Sequence, residues 1–490
     1  MFAWLASGIA ILWWFPSLLL AQSEAQPNVV VFLIDDLGWS NVGCYGSRFH
    51  ETPHIDALAA RGVRFTDAYA ACPVCSPSRA SVLTGKYPVR SGITTWIGAG
   101  QRRAVLVGAP NVDHLASDEE TLGEAFQAGG YRTAYFGKWH LGKEDAQQPN
   151  RQGFDHCVGV NRAGQPSSYF FPYKRKKAHA ADVPDFEAGN PGHYLTDQLA
   201  QSAADFIRST TKQPFLAFIS HYSVHTPIQG RPDLVNSYKK KLEASEPLKT
   251  SASRAEGAGT TRMHENHPGY ASMVASVDAS VGKVTATLEE LGLTKNTIIV
   301  FTSDNGGLST LPAKRPLGPA CVLPLRAGKG WVYEGGIRVP LIIAAPGVPP
   351  SVCNVPVTGT DLYPTLLELA HRPAKPEQHV DGRSLVAFLE GHSSPRLEQR
   401  ALFWHYPHYH GSASVPSAAV RKGPYKLIRW YETGDQELYH LGHDLSETTN
   451  LASSQPEIMA ELSVTLDKWL KDTNAVLPTK NPDYVPATPN

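Results

Sequence analysis

The sequence predicts an α/β fold: a large mixed, mainly parallel sheet sandwiched by helices, followed by a small C-terminal α+β subdomain. Three observations predict it. Apolar runs of strand length alternate with stretches of helical period. Several of the strand-like runs end abruptly in acids, amides or histidines. After residue 395 the pattern changes to short strands joined by tight turns.

The 490 residues exceed one typical domain of ~100–200 residues. Residues 1–21 form an apolar run closing near Ala21 in small and polar residues, the outline of a secretory signal. The run lacks Lys and Arg at its start and is almost long enough to span a bilayer. Pro16 and the absence of flanking charge favour a cleaved signal over an anchor. The expectation is an exported protein, periplasmic or secreted, with no membrane span after cleavage. Acidic and basic residues balance at 45 each, so no overall field recruits nucleic acid or a membrane surface.

"NVVVFLIDD" (28–36) is β-branched and continuous, as a strand buried on both faces must be. "TLGEAFQAGGYRTAYFGKWHLGK" reads as a helix stopped at Gly129-Gly130 and a strand from Tyr131. "KQPFLAFISHYSVHTP" and "NTIIVFTSDNGG" repeat the apolar strand that runs into polar residues. Met273, Val274, Val277, Val281 and Val284 recur at helical spacing. These elements make up a domain over 26–395. The segments 168–180 and 238–268 read as polar insertions. In 396–490, antiparallel strands precede a helix over 456–470, with Pro456 in its first turn and Met459, Leu462, Leu466 and Trp469 on one face.

Asp35 and Asp36 close the first strand, and Asp304 and Asn305 close "NTIIVFTSDN". In an open α/β sheet, sites form outside the carboxyl ends of the strands. Adjacent acids need a cation or water to pack together. Hard oxygen donors without a His/Cys set suit Ca²⁺, or less well Mg²⁺; ordinary turn-capping acids are the bland reading. Lys138 and His140 face one side if their strand continues, pairing a cation with a titratable imidazole. His221 and His225 follow a third strand, and Lys329 sits between two glycines on a loop.

The six cysteines include one C-x-x-C, Cys72 and Cys75, which a disulfide or redox pair would explain. In "CSPSR" (75–79), Ser76 is placed to cap a helix and Pro77 to open it. Cys75 then precedes a helix N-terminus, where free N–H groups favour negative charge, and Arg79 lies one turn in.

At these residues the chain resembles the type I sulfatases, the arylsulfatase family of the alkaline phosphatase superfamily. Cys75, Pro77 and Arg79 form the C-x-P-x-R signature, followed by "ASVLTGKYPVR", and the resemblance runs from "NVVVFLIDDLGW" to "ELYHLGHDLSETTNLA". It implies an alkaline phosphatase-like fold and a sulfuric ester hydrolase. It also implies oxidation of Cys75 to formylglycine (3-oxoalanine) by a formylglycine-generating enzyme that reads the unfolded chain. One hydroxyl of the hydrated aldehyde then attacks sulfur, and the other expels sulfate. By the same resemblance Asp35, Asp36, Asp304, Asn305 and the modified Cys75 hold Ca²⁺. Arg79 and Lys138 hold the diol and sulfate, and His140 is the base that breaks down the sulfated diol. His225 and Lys329 serve the leaving group, either one being the acid.

The substrate reading is a sulfate monoester on carbohydrate, of galactose or N-acetylgalactosamine type, attacked from the chain end; aryl sulfates are the simpler alternative. "FWHYPHYHG" (403–411) gathers Trp404, Tyr406, Tyr409, His405, His408 and His410, suited to stacking on a sugar and bonding its hydroxyls. The run "YKRKK" (173–177) suits a polyanion. A phosphomonoesterase or phosphonate hydrolase on the same scaffold, and a non-catalytic glycan-binding protein with unmodified Cys75, are the competing readings.

Overall fold

Eight strands build the central sheet: β1 (Asn28–Ile34), β2 (Val63–Phe65), β3 (Arg132–Gly137), β4 (His156–Val158), β5 (Phe215–His221), β6 (Thr297–Ser303), β7 (Leu341–Ala344) and β8 (Ser351–Cys353). Their spatial order is β8-β2-β7-β6-β1-β5-β3-β4. The computed structural model describes residues 26–485, apart from 176, 178, 187–188, 211 and 247–248. The signal expected over 1–21 lies outside the described residues. No helix among the described residues is long and apolar enough to cross a membrane.

β1 runs parallel to both β5 and β6, with Ile34 opposite His221 on one side and Ser303 on the other. Three strands therefore end level, and the polar residues that follow them emerge at one edge. β7 is antiparallel to β6 and β2, which makes the sheet mixed. Every residue of β1, β5 and β6 is buried, as their unbroken apolar runs require. Side chains alternate between faces along a strand. Val29, Val31 and Leu33 meet α1 (Cys75–Thr84), whereas Val30, Phe32 and Ile34 meet α2 (Leu195–Ser209) and α3 (Pro268–Glu290). All five residues picked out by period on α3, Met273 to Val284, lie in this second core.

Four antiparallel strands form the C-terminal sheet: β9 (Ala401–Tyr406), β10 (Ser417–Lys422), β11 (Tyr425–Trp430) and β12 (Gln436–His440). One face carries α4 (Pro456–Asp472), whose Leu462 and Leu466 are buried while Trp469 stacks on Phe403 with ring centroids 4.7 Å apart. The other face sets Leu402, Trp404 and Ile428 against Tyr69, Val74 and Val332. This sheet thus braces both the segment leading into Cys75 and the one following Lys329.

A buried ionic network crosses the same contact. Lys426 Nζ lies 2.9 Å from Glu334 and 2.8 Å from Glu447, all three fully buried. Tyr69 Oη and Arg338 Nε also donate to Glu334, at 2.8 and 2.7 Å. Burial pushes the Glu447 carboxyl from 4.5 up to about 7, Glu334 adding to the rise while Lys426 opposes it. Within that window the native state holds a proton that the unfolded chain has released, so this group's contribution to stability falls as pH rises. Glu447→Gln is expected to flatten that part of the profile. The check is the guanidinium midpoint of variant and wild type at about pH 5 and about pH 7.5.

Two expected insertions are more integral than their composition predicts. Tyr169 and Tyr173 of the 168–180 segment are completely buried. Residues 238–268 include a hairpin, Ser253–Glu256 with Gly259–Arg262, that pairs with Thr310–Pro312. A tyrosine can enter a core while its hydroxyl keeps a hydrogen bond, so polar flanks do not mark such a segment as surface.

Candidate active site

The level strand ends assemble the site. Asp35 and Asp36 follow β1, Asp304 and Asn305 follow β6, and His225 follows β5; all but His225 are 2% exposed or less. Lys138 follows β3 and donates to Asp35 at 2.7 Å. Lys329 reaches in from its loop and lies 2.7 Å from Asp36. Arg79 donates through Nε to Asp304 at 2.8 Å, and through Nη1 to Ser220 Oγ and the Lys138 carbonyl at 2.6 and 2.8 Å. Among the described residues, its Nη2 has no hydrogen-bond partner.

The helix begins two residues earlier than its sequence predicts. Val74 is the N-cap, Cys75 is the first residue of α1, and Ser76 caps nothing; its Oγ instead accepts from the Ile97 N–H at 3.0 Å. Pro77 fits the first turn because N–H groups there have no intrahelical acceptor. Cys75 is 3% exposed, and its thiol lies 3.4 Å from His140 Nδ1. Cys72 and Cys75 are both free thiols.

Lys138 and His140 do not share a continuing strand. β3 stops at Gly137, and His140 takes a left-handed φ of 60°. His140 Nε2 lies 3.0 Å from the Ile97 carbonyl, which can only accept. That fixes the proton on Nε2 and leaves the Nδ1 lone pair towards residue 75. Burial and the Lys138 charge hold His140 well below the usual imidazole range. Burial and Lys329 lower His225 to about 3, with Asp36 opposing. His225 Nδ1 bonds the Thr226 carbonyl at 2.8 Å, so Nε2 faces Asp36, 3.7 Å away.

The acids split. Burial, Asp304 and Asp36 raise Asp35 to about 8 against the pull of Lys138. Burial also acts to raise Asp36, but Lys329, His225 and Lys138 together hold it well below the usual carboxylate range. Asp35 Oδ1 and Asn305 Oδ1 are buried acceptors without a hydrogen bond among the described residues. Such an atom costs about 1–3 kcal/mol unless something else satisfies it. Hard oxygen donors open at that spot fit a Ca²⁺- or Mg²⁺-type cation.

Cys75, His140, His225 and Lys329 line one chamber of about 490 Å³, and His410 joins them from the C-terminal subdomain. The other two histidines of "FWHYPHYHG" do not, which corrects the expectation for His405 and His408. His405 bonds Tyr431 Oη and the Val476 carbonyl at 2.9 and 3.0 Å, and His408 bonds Thr94 Oγ1 at 2.8 Å. Trp404 and Tyr406 are buried in the contact between the two parts, on the opposite face of β9 from His405. Tyr409 is bonded to Glu432. His221 bonds Ser280 Oγ at 2.7 Å on the far face and has no place in the chamber.

A sulfatase family profile matches residues 27–372. The chain belongs to the sulfatase family. A second profile, for the C-terminal part of N-sulphoglucosamine sulphohydrolase, matches residues 327–475. This sulfatase is 31% identical to a sulfatase of Formosa agariphila over 96% of its own length and 94% of the relative's. It is also 31% identical to the N-acetylgalactosamine-6-sulfatase of Rattus norvegicus, over 89% and 77%. The solved structure of Ps i-CgsB in complex with k-i-k-neocarrahexaose has a TM-score of 0.73 at 28% identity, covering 94% of each chain. The protein is an enzyme that hydrolyses sulfate esters.

Three features of the sulfatase site lay outside sequence reasoning. Trp96 lines the chamber from an irregular stretch. Tyr169 Oη bonds the carbonyls of Tyr222 and His225 at 2.6 and 2.9 Å, fixing the loop that carries His225. Gly164 packs directly on His140; a Cβ there would fall 2.6 Å from Nδ1. Gly164→Ala is therefore expected to displace His140 and lower kcat about 10²-fold, the lower end of what a positioned base contributes. Steady-state kinetics on an aryl sulfate, with melting temperature as the folding control, check this.

Proposed function

We propose that this sulfatase acts through a formylglycine made from Cys75, with Ca²⁺ held by Asp35, Asp36, Asp304, Asn305 and the side chain of residue 75. The observation that carries the reading is the position of Cys75. It opens a helix, faces the His140 lone pair at 3.4 Å, and feels the charges of Asp35 and Asp304, the acids that end β1 and β6. The cation supplies Lewis acidity and charge neutralisation, and the hydrated aldehyde supplies an oxygen nucleophile with a second hydroxyl that a thiol lacks.

The remaining roles fall to the chain itself. His140 Nδ1 takes a proton from the side chain of residue 75. Arg79 Nη2, Lys138 and Lys329 hold sulfate oxygens. Asp304 and Asp36 pair with Arg79 and Lys329, so a divalent cation together with Lys138 leaves the site positive, as an anionic ester requires. His225 and Lys329 stand on the leaving-group side. Cys75, Pro77 and Arg79 are all buried, which supports conversion of Cys75 by a formylglycine-generating enzyme before folding.

The substrate we infer is a sulfated glycan of galactose or N-acetylgalactosamine type, entered from its end because residue 75 is a buried part of the chamber lining. The activity in the name of the rat relative and the hexaose bound by Ps i-CgsB support this. Export, with cleavage near Ala21, completes the reading, and the domains are proposed as 26–395 and 396–490. The decisive experiment compares 4-nitrophenyl sulfate with 4-nitrophenyl phosphate and pairs it with mass spectrometry of the peptide holding residues 75–79. Faster phosphate turnover, or only unmodified thiol in fully active enzyme, would overturn the proposal. Chelation by EGTA is expected to abolish activity, with recovery on Ca²⁺ addition.

A further inference from the structure

We propose that the mouth of the chamber holds a second anion subsite, formed by Arg102 and Lys143, that selects substrates carrying another sulfate or carboxylate beside the scissile group. This rests on the reading of the chamber as a glycan sulfate site. The chain as a whole carries as many acids as bases, but the chamber lining does not. It includes Arg102, Lys143, Arg162 and Lys329 and not one Asp or Glu. Two of these cations are committed, Lys329 to Asp36 and Arg162 to Asp145. Among the described residues, the side chains of Arg102 and Lys143 have no hydrogen bond or ion pair.

Their placement is specific. The Lys143 ammonium lies over Gly98, 3.6 Å from where a Cβ would stand, and the Arg102 guanidinium lies beside Gly411 at 3.5 Å. Both cations are exposed at the chamber wall, beside residues without a side chain. Trp96, 3.5 Å from the same Gly98 point, gives an apolar face on which a pyranose ring can stack. An apolar platform flanked by a planar fork donor and an ammonium matches a sugar ring with an anionic substituent. A rim that merely steers any anion would raise encounter rates for all sulfate esters alike. A subsite discriminates between them.

The test uses a monosulfated disaccharide and its otherwise identical disulfated counterpart. Wild-type enzyme should favour the disulfated sugar in kcat/KM by about tenfold or more at low ionic strength, chiefly through KM. That preference should shrink at high salt. In Arg102→Ala/Lys143→Ala it should fall to near unity, and Arg102→Glu should reverse it. Arg102→Lys should retain part of it, which separates lost charge from lost folding. Equal turnover of both sugars by wild type, or a preference undiminished in the double variant, would overturn the subsite alone. Turnover of 4-nitrophenyl sulfate but of neither sugar would overturn the glycan assignment and the subsite with it. No turnover of any sulfate ester would strike the catalytic proposal instead.

Discussion

Replacing Cys75 with alanine is expected to lower kcat on any sulfate ester by about 10⁴-fold or more, the scale on which removal of a covalent nucleophile acts. The fold should survive. Cys75 is one small side chain at the start of a ten-residue helix whose Ala80, Val82 and Leu83 pack into the core. Losing a thiol leaves only a small cavity. The measurement is single-turnover and steady-state hydrolysis beside circular dichroism and melting temperature. Substantial residual turnover by a well-folded variant would show that residue 75 is not the nucleophile. The same variant separates the roles of His140. If its Nδ1 serves residue 75, then His140→Ala added to Cys75→Ala should cost little more than Cys75→Ala alone.

The second large effect is on stability. Lys426→Met removes the one cation that lies between Glu334 and Glu447, with all three side chains fully buried. Breaking a buried ion pair from one side typically costs about 3–5 kcal/mol, and here Glu447 is the carboxyl left without a cation, since Glu334 keeps Arg338. The loss should appear as a lowered guanidinium midpoint with little change in m-value. Adding Glu447→Gln should recover part of it, since the carboxyl left without its cation is then replaced by a neutral amide. A Lys426→Met protein as stable as wild type would mean that water or a rearranged Arg338 replaces the ammonium. The network joins the 334–338 segment, just past Lys329, to the C-terminal sheet, so partial unfolding there is expected to reach the active site.

Much of the fold was legible because its signals are local. β1, β5 and β6 read as unbroken apolar runs because both their faces are covered, and α3 shows its buried stripe at a period near 3.6. The acids after β1 and β6 stood out because adjacent carboxylates are costly unless something neutralises them. The position of Cys75 before Pro77 and Arg79 was equally local. Three histidines within 405–410 had no such signal. His405 is buried on the face of β9 that carries α4, His408 turns into Thr94, and of the three only His410 lines the chamber. That choice depends on which face of a strand a neighbouring domain covers.

The sequence by itself determined the class of fold and the polar strand ends, because hydrophobic period and charge adjacency are properties of consecutive residues, and its C-x-P-x-R run carried the resemblance that singles out Cys75. Tertiary structure alone decided the rest. It placed the His140 lone pair on residue 75 through a bond to the Ile97 carbonyl and set Arg79 across Asp304. It also brought Trp96, Arg102 and Lys143 to one chamber mouth from stretches without regular period. These groups meet through packing between segments far apart in the chain, and the contacts that hold them are long-range ones that no window of sequence contains.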